Sequence, residues 1–583
     1  MLHHRKGEAR NQITFSALED LIAPDNLVRV VDAFVDILDF QTLGFAHIKT
    51  KQKGAPPYHP ALMLRIYLYG YLNRVRSSRK LEKECQRNIE MQWLCERQVP
   101  CYHSIATFRT FKNEDNSINH SKALKEVFRA FNRFLNGEDL FGKETVATDG
   151  SKFRAQNAKK KNYTADKLDK KIELAEASIN QYLQDLDSFD ALESSSIDHD
   201  DLKAFTQQKL LDAQSWKLKF EYYKQELNRR QELDPDVTQI SLTDPDARSI
   251  VVNNSGHAEV SYNIVTAVDD KHKLIANFFT DNVKDTNLLA ESLIAVKAEF
   301  DNDFDVDLHT LQAENTENTE NTEGVLDLKA KLNPNTTLNG LADKGFHTAA
   351  QIQECADNGI ITYVAIPKHA YSGKDKEFTI EHFQYNQLDD TFSCPNKQTL
   401  TTNGVFYDKK NRRGQFILRF KRYNMSPKTC SQCPFAAKCL SKTAIKYRTS
   451  RQIERTESQN AVEDNKQRLA TLDGKKQYLK RQAIVEHPFG IIKRQWATDY
   501  TLMRGMEKVN GEFAIVFTCF NIRRAMSILT VPVLLQRLKS LKSDLSGLFE
   551  DVFGAVLSDA RFSSTILYYI SNHRLGKIFY YLA

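Results

Sequence analysis

Three acidic residues stand where their surroundings could make them metal ligands. Glu144 to Gly150 (ETVATDG) and Leu338 to Gly345 (LNGLADKG) each read as a short β-run ending in an aspartate, Asp149 and Asp343, before a glycine. Arg481 to Lys493 (RQAIVEHPFGIIK) reads as a helix, with Ile484, Val485, Phe489, Ile491 and Ile492 on an apolar side and Glu486 beside it in a basic segment. A lone carboxylate there is a salt-bridged surface residue or a ligand, and the two aspartates favour the ligand. Mg²⁺ prefers oxygen, needs few carboxylates and keeps water and phosphate oxygens as its other ligands. Two such ions roughly 4 Å apart activate an attacking oxygen and stabilise a leaving one. The chemistry indicated is phosphoryl transfer.

At these residues a family resemblance becomes specific. Tyr478, Arg481, Glu486 and Lys493 resemble the tyrosine–arginine–glutamate–lysine signature of bacterial insertion-sequence transposases with a DDE triad. The gap from Arg481 to Glu486 is one residue longer than in its usual form. VEHPFGIIKRQW, TDGSKFRAQNAKK, LADKGFHT and TDPDAR…YNIVTAVD are similar to one subgroup, and the likeness runs from about Phe15 to about Leu529. It implies an α/β chain with a ribonuclease-H-like mixed sheet. Asp149, Asp343 and Glu486 would be catalytic and would hold Mg²⁺ or Mn²⁺. Tyr478, Arg481 and Lys493 would grip terminal phosphates. The reaction implied is cutting at the ends of an insertion sequence and joining the 3′-hydroxyls to target DNA. The partners would be double-stranded terminal inverted repeats and target DNA, with a homodimer on DNA. The alternatives are a catalytically inactive DNA-binding relic and a metal-dependent nuclease.

The elements that must position these residues follow in order. Residues 1–135 read as all-α: Val28, Val31, Phe34, Val35 and Leu38 recur at helical spacing within Asp25 to Phe40, and Pro60 suits a helix first turn. Helices over Ser78 to Asn88, Ile89 to Glu96 and Ile105 to Lys112 complete a candidate helix-turn-helix, the family's DNA-binding domain. Arg74, Arg76, Arg79, Lys80, Arg109 and Lys112 are its candidate phosphate contacts. Core segments occupy 140–163 and 236–367. Lys152, Arg154, Lys159, Lys160 and Lys161 follow Asp149 as a candidate DNA track. Strands are expected at Thr145 to Thr148, Ser249 to Val252, Tyr262 to Val268, Leu274 to Phe279, Thr337 to Leu341 and Ile360 to Ile366. Crossover helices are expected at Asp285 to Glu299 and Phe346 to Asn358. Asp244 and Asp246 in TDPDAR most simply make a turn.

Two insertions divide the core. Residues 164–235 read as a helical hairpin, with a seam of Leu168, Ile172, Ala175, Ile179, Tyr182 and Leu186. Residues 368–475 read as β-rich and hold Cys394, Cys430, Cys433 and Cys439. C-x2-C-x5-C plus a distant cysteine has the composition of a structural Zn²⁺ site. The other reading is one knuckle-like turn with Cys394 a bystander. Residues 476–530 carry the glutamate helix and an apolar helix, Glu512 to Leu529, that packs on the sheet. Glu314 to Glu323 is a Glu-Asn-Thr repeat without apolar residues, read as a surface loop, and 531–583 is a tail of unassigned role.

Composition adds limits: 41% hydrophobic, 27% charged and a net charge of +6, with cations clustered locally. Nine cysteines without an apolar leader at MLHHRKGEAR point to reduced thiols. No apolar run is long enough for a bilayer. A cytoplasmic, nucleoid-associated protein is expected, with no membrane partner.

Overall fold

A computed structural model describes residues 11, 13, 15–48, 56–158, 161–191, 197–233, 237–251, 258–281, 285–304, 332–367, 376–410 and 416–543. The Glu-Asn-Thr repeat, Lys159, Lys160 and the tail beyond 543 lie outside them.

The N-terminal part is helical: α1 (Leu27–Asp36), α2 (Pro60–Leu72), α3 (Ser78–Arg87), α4 (Ile89–Leu94), α5 (Tyr102–Phe108) and α6 (His120–Gly137). Side chains of Asn26, His59, Asn88 and Asn119 accept from N–H groups that the first turns of α1, α2, α4 and α6 leave unpaired. Twelve of the thirteen residues of α2 are buried, so it is the pillar of this block. Two of the candidate DNA cations are structural instead. Arg76 is buried and donates to Glu512 Oε1 at 2.6 Å and to the Tyr500 carbonyl at 2.8 Å. Arg109 is buried, donates to the Tyr71 hydroxyl at 2.8 Å and lies over the Tyr67 ring. Arg74, Arg79, Lys80 and Lys112 remain exposed.

Next come β1 (Thr145–Arg154), β2 (Asn162–Tyr163), the hairpin helices α7 (Ala165–Ala191) and α8 (Ile197–Leu233), β3 (Ile240–Ser241), β4 (Arg248–Val251), β5 (Ala258–Asp269) and β6 (Ile275–Asp281). Then follow α9 (Leu289–Asp301), β7 (Leu338–Ala342), α10 (Ala349–Asp357) and β8 (Ile360–Val364). The core is a mixed sheet of six strands in the order β4-β5-β1-β7-β8, with β6 also on β5. β1 runs parallel to β7, and β7 to β8, while β5 is antiparallel to β1. The first strand does not stop at Asp149 as its sequence suggested. β5 pairs with it as far as Arg154↔Ser261, whereas β7 ends opposite Thr148, so Asp149 is the first residue beyond the parallel ladder. Asp285 does not start a helix either. It opens a 3-10 turn, Asp285–Asn287, ahead of α9.

In the second insertion β9 (Gln384–Asn386), β10 (Thr391–Ser393), β11 (Thr399–Lys410), β12 (Phe416–Asn424) and β13 (Gln452–Thr456) form a separate five-stranded antiparallel sheet. The chain then returns to the core earlier than residue 475. α11 (Gln459–Ala470) already packs there, with buried Asn465 bonding both the N–H and the carbonyl of Val364. α12 (Leu472–Phe489) continues into a π-helical turn, Gly490–Gln495. α13 (Met506–Leu529) is largely buried, and a further helix spans Val531–Ser543. Phe513 and Phe517 of α13 meet Phe153 and Phe278 edge-on, so the helical block, α13 and the sheet share one continuous apolar core. No single described helix is long and apolar enough to cross a membrane.

Candidate active site

Strand geometry places the two aspartates. Asp149 and Asp343 each follow the last registered pair of the parallel ladder, Thr148↔Ala342, and so emerge side by side. Asp343 also caps the next turn, Lys344–Phe346, accepting from Gly345 N at 2.7 Å. Side chains alternate along a strand. Asp149 and Phe153 therefore face α12, where Arg481 Nη1 lies 3.9 Å from Asp149 Oδ2 and Phe489 packs near Phe153. Burial, then the Asp343 charge, push Asp149 up to about 6; Arg481 opposes the rise and Asp285 adds to it.

The glutamate helix runs along β1. Gln477 reaches Thr145, Arg481 reaches Asp149, and Ile484, Val485, Pro488 and Phe489 are buried. Glu486 is on the exposed side and accepts from Gln482 Nε2 at 2.9 Å. Arg481 and Glu486 lie five residues apart, roughly 140° round a helix, so the face that gives Arg481 to the pair turns Glu486 to solvent. Among the described residues no group of three or more His, Cys, Asp or Glu side chains is arranged to hold a metal ion. The structure thus brings together Asp149, Asp343 and Arg481 and leaves Glu486 apart from them.

The remaining signature residues divide. Tyr478 lies against the Arg481 guanidinium, 5.9 Å from its ring centre. Lys493 lies over the Phe153 ring and donates to the Lys152 carbonyl at 2.6 Å. Burial, then the Lys152 charge, bring its ammonium down to about 8. Lys161 is exposed. His487 is half-buried, edge-on to Phe520, and burial lowers its pKa. Asp244 accepts from the Tyr262 hydroxyl at 2.7 Å and from Gly505 N at 3.1 Å, and Asp246 accepts from Met506 N at 3.0 Å. Both tie the core to the start of α13.

The four cysteines of the second insertion come together. Cys394, Cys430, Cys433 and Cys439 line one cavity of about 30 Å³ with Phe378, Phe383 and Arg451. Gln398 N approaches Cys394 Sγ at 3.4 Å, and Asn396 Nδ2 approaches Cys433 Sγ at 3.6 Å. Burial pushes the Cys439 thiol up; Arg451 opposes the rise, and the other three cysteines add to it.

Sequence reasoning missed Asp285. Its Oδ2 accepts from Lys152 Nζ at 2.8 Å and its Oδ1 from Asn263 Nδ2 at 2.7 Å. The available signal was the glycine after Asp149, read only as marking the end of a β-run.

Comparison with known protein families gives two matches. Residues 16–111 match the family described as Transposase domain (DUF772), and residues 393–526 match the Transposase DDE domain. No curated protein and no solved structure matches the chain. The first match covers α1 to α5 and the second runs from the thiol cavity through the glutamate helix to α13. Two transposase domains matched in one polypeptide support an insertion-sequence DDE-type transposase.

Proposed function

We propose that this DNA transposase cuts at the ends of its insertion sequence and joins the freed 3′-hydroxyls to target DNA, at a site built on a ribonuclease-H-like core. The observation that carries the reading is the Asp149–Asp343 pair. Two carboxylates stand side by side, one of them half-buried, and Arg481 at 3.9 Å from Asp149 is the cation shown against them, so the pair offers a place for a further cation. Oxygen ligands suit Mg²⁺ or Mn²⁺. Bound there with Glu486 as third ligand, the metal would supply Lewis-acid activation of the attacking oxygen and charge relief at the leaving one.

The chain's own residues position the DNA. Arg481, backed by Tyr478, faces the carboxylate pair and is placed to hold a phosphate beside the scissile bond. Phosphoryl transfer depends on such positioning more than on protein acid–base chemistry. Glu486, which here accepts from Gln482, would serve as that third ligand only if the helix between it and Arg481 changed so that both met the pair. Lys493 steadies β1 from its carbonyl bond. The exposed Arg74, Arg79, Lys80, Lys112 and Lys161 lie on duplex backbone. The four cysteines line one cavity without standing as a ready ligand set; as thiolates drawn together there they would hold a structural Zn²⁺, with the approaching N–H of Gln398 supporting Cys394.

The test is cleavage of labelled DNA carrying the element's ends, with Mg²⁺ or EDTA, by wild type and Asp343→Asn. Nicking at the ends that needs metal and vanishes in the variant, with end binding retained, is the expected result. Binding without cleavage by wild type would instead establish the DNA-binding relic, to which the outward Glu486 would then belong. Cleavage without joining would establish the nuclease.

A further inference from the structure

The glycines after the two aspartates mark a packing constraint that the catalytic reading leaves unused. A Cβ on Gly150 would collide with Asp285 Oδ1 and sit 2.8 Å from Asn263 Oδ1. A Cβ on Gly345 would sit 2.9 Å from Asp343 Oδ1 and 3.8 Å from Asp285 Oδ2. Gly150 therefore leaves room for Asp285, whereas a Cβ on Gly345 would press on Asp343 itself and meet Asp285 only at ordinary contact distance. Gly150 and Lys152 point to the face of β1 opposite Asp149, so Asp285 lies behind the strand while Asp149 looks toward α12. Its two oxygens are held separately, by Asn263 of β5 and by Lys152 of β1.

We propose that Asp285 is a positioning residue for divalent-cation binding at Asp149 and Asp343: it fills the space that Gly150 leaves beside β1 and ties β1 to β5 through Lys152 and Asn263, and thereby fixes where Asp149 stands relative to Asp343. This rests on the reading of that pair as the catalytic site. Its lever is geometric. The carboxylate ties Lys152 and Asn263 together across β1 and β5, at the point where β1 leaves its parallel partner. Without that tie, the segment carrying Asp149 has no registered neighbour on the β7 side to hold it. The tie is also electrostatic, because the Lys152 ammonium is kept on Asp285.

The experiment measures Mn²⁺ binding to the full chain by electron paramagnetic resonance, alongside thermal unfolding and end-DNA binding. Supporting contacts of metal ligands typically change affinity 10–100-fold. Asp285→Asn keeps the shape but loses the charge, and is expected to weaken Mn²⁺ binding by about tenfold or more, with its unfolding midpoint and end binding at wild-type values. Gly150→Ala displaces Asp285 without changing any carboxylate and is expected to weaken Mn²⁺ binding likewise. It keeps the test open should Asp285→Asn not fold. Asp343→Asn reports on the underlying reading and should abolish the binding. Loss in Asp343→Asn with unchanged affinity in Asp285→Asn or Gly150→Ala overturns the role of Asp285 alone. Unchanged affinity in Asp343→Asn overturns both.

Discussion

The ion pair between Arg76 and Glu512 fastens the helical block to α13 of the core, and its removal has a calculable cost. The side chains are 9% and 0% exposed, with Arg76 Nη2 2.6 Å from Glu512 Oε1. Glu512 also accepts from Leu502 N at 2.9 Å and from Met503 N at 3.1 Å. Glu512→Gln keeps an amide oxygen for those two donors but leaves the guanidinium buried without a carboxylate, with the Tyr500 carbonyl and the Tyr71 and Tyr500 rings as its remaining neighbours. Breaking one side of a buried pair costs about 3–5 kcal/mol. Removing the charge as well, in Arg76→Met/Glu512→Gln, should restore most of it, because well-packed apolar replacements of buried pairs are close to neutral. The assay is urea unfolding of the full chain, followed by the fluorescence of Trp93 in the helical block and buried Trp496 in the core. A loss below about 1 kcal/mol in Glu512→Gln, the range of surface pairs, would refute the reasoning. A double variant no better than the single would do the same. Arg76→Met should also leave the salt dependence of DNA binding unchanged. A slope reduced by about one would return Arg76 to the DNA contacts.

Two further predictions concern groups outside the catalytic pair. His120 is 1% exposed; its Nε2 accepts from Ala46 N at 2.8 Å and its Nδ1 meets the Phe108 carbonyl at 2.6 Å, an arrangement for the neutral ring. Burial depresses it from 6.5 to about 4, so its contribution is complete above 6.5 and is lost as pH falls toward 4. That is worth roughly 3 kcal/mol, and unfolding of His120→Asn compared with wild type from pH 7 to 4 should show a correspondingly flatter pH dependence. For the thiol cavity, elemental analysis of chain purified without chelator should find about one zinc per chain, lost in Cys430→Ser and Cys433→Ser. A zinc-free wild type with all four thiols open to alkylation would leave the cavity a plain apolar turn.

Legibility in the sequence followed the range of the interactions. The pairing of Asp149 with Asp343 was legible because two short apolar runs, each ending at an acid, suit neighbouring parallel strands, and the alternation of strand and helix calls for a mixed sheet. Helix α6 was not read, although Ala123, Leu124, Val127, Phe128, Phe131, Phe134 and Leu135 follow a helical repeat. The same helix buries Lys125, Arg129 and Asn132, which blurs its polar face. Those polar groups find partners far along the chain: Lys125 on the Phe278 carbonyl, Arg129 on Glu299, Asn132 on the Ile275 carbonyl. Arg76 and Arg109 failed as DNA contacts for the same reason, since nothing near residue 76 announces a glutamate 436 positions away. Asp285 was hidden differently. Its turn reads as the polar start of a helix, and only the glycine at 150 records that another side chain occupies the space where a Cβ would be.

The extra residue between Arg481 and Glu486 gains a physical meaning from the helix that carries them. At the usual shorter spacing of four, two side chains lie one above the other on a single face, and arginine and glutamate would meet the site together. At five they diverge, and this structure resolves the conflict in favour of Arg481, which reaches Asp149 while Glu486 turns to Gln482. Four residues beyond Glu486 the helix widens into the π-turn of Gly490–Gln495, the form one inserted residue gives a helix. With the insertion absorbed there, Ile492 and Trp496 are buried, and Lys493 reaches the Lys152 carbonyl, all downstream of the mismatch. Were the widened turn to move back past Glu486, the extra residue would lie between Arg481 and Glu486, and both could face the carboxylate pair at once. On the proposed reading of Asp149 and Asp343, whether Glu486 can reach them thus depends on where along this helix one surplus residue is stored.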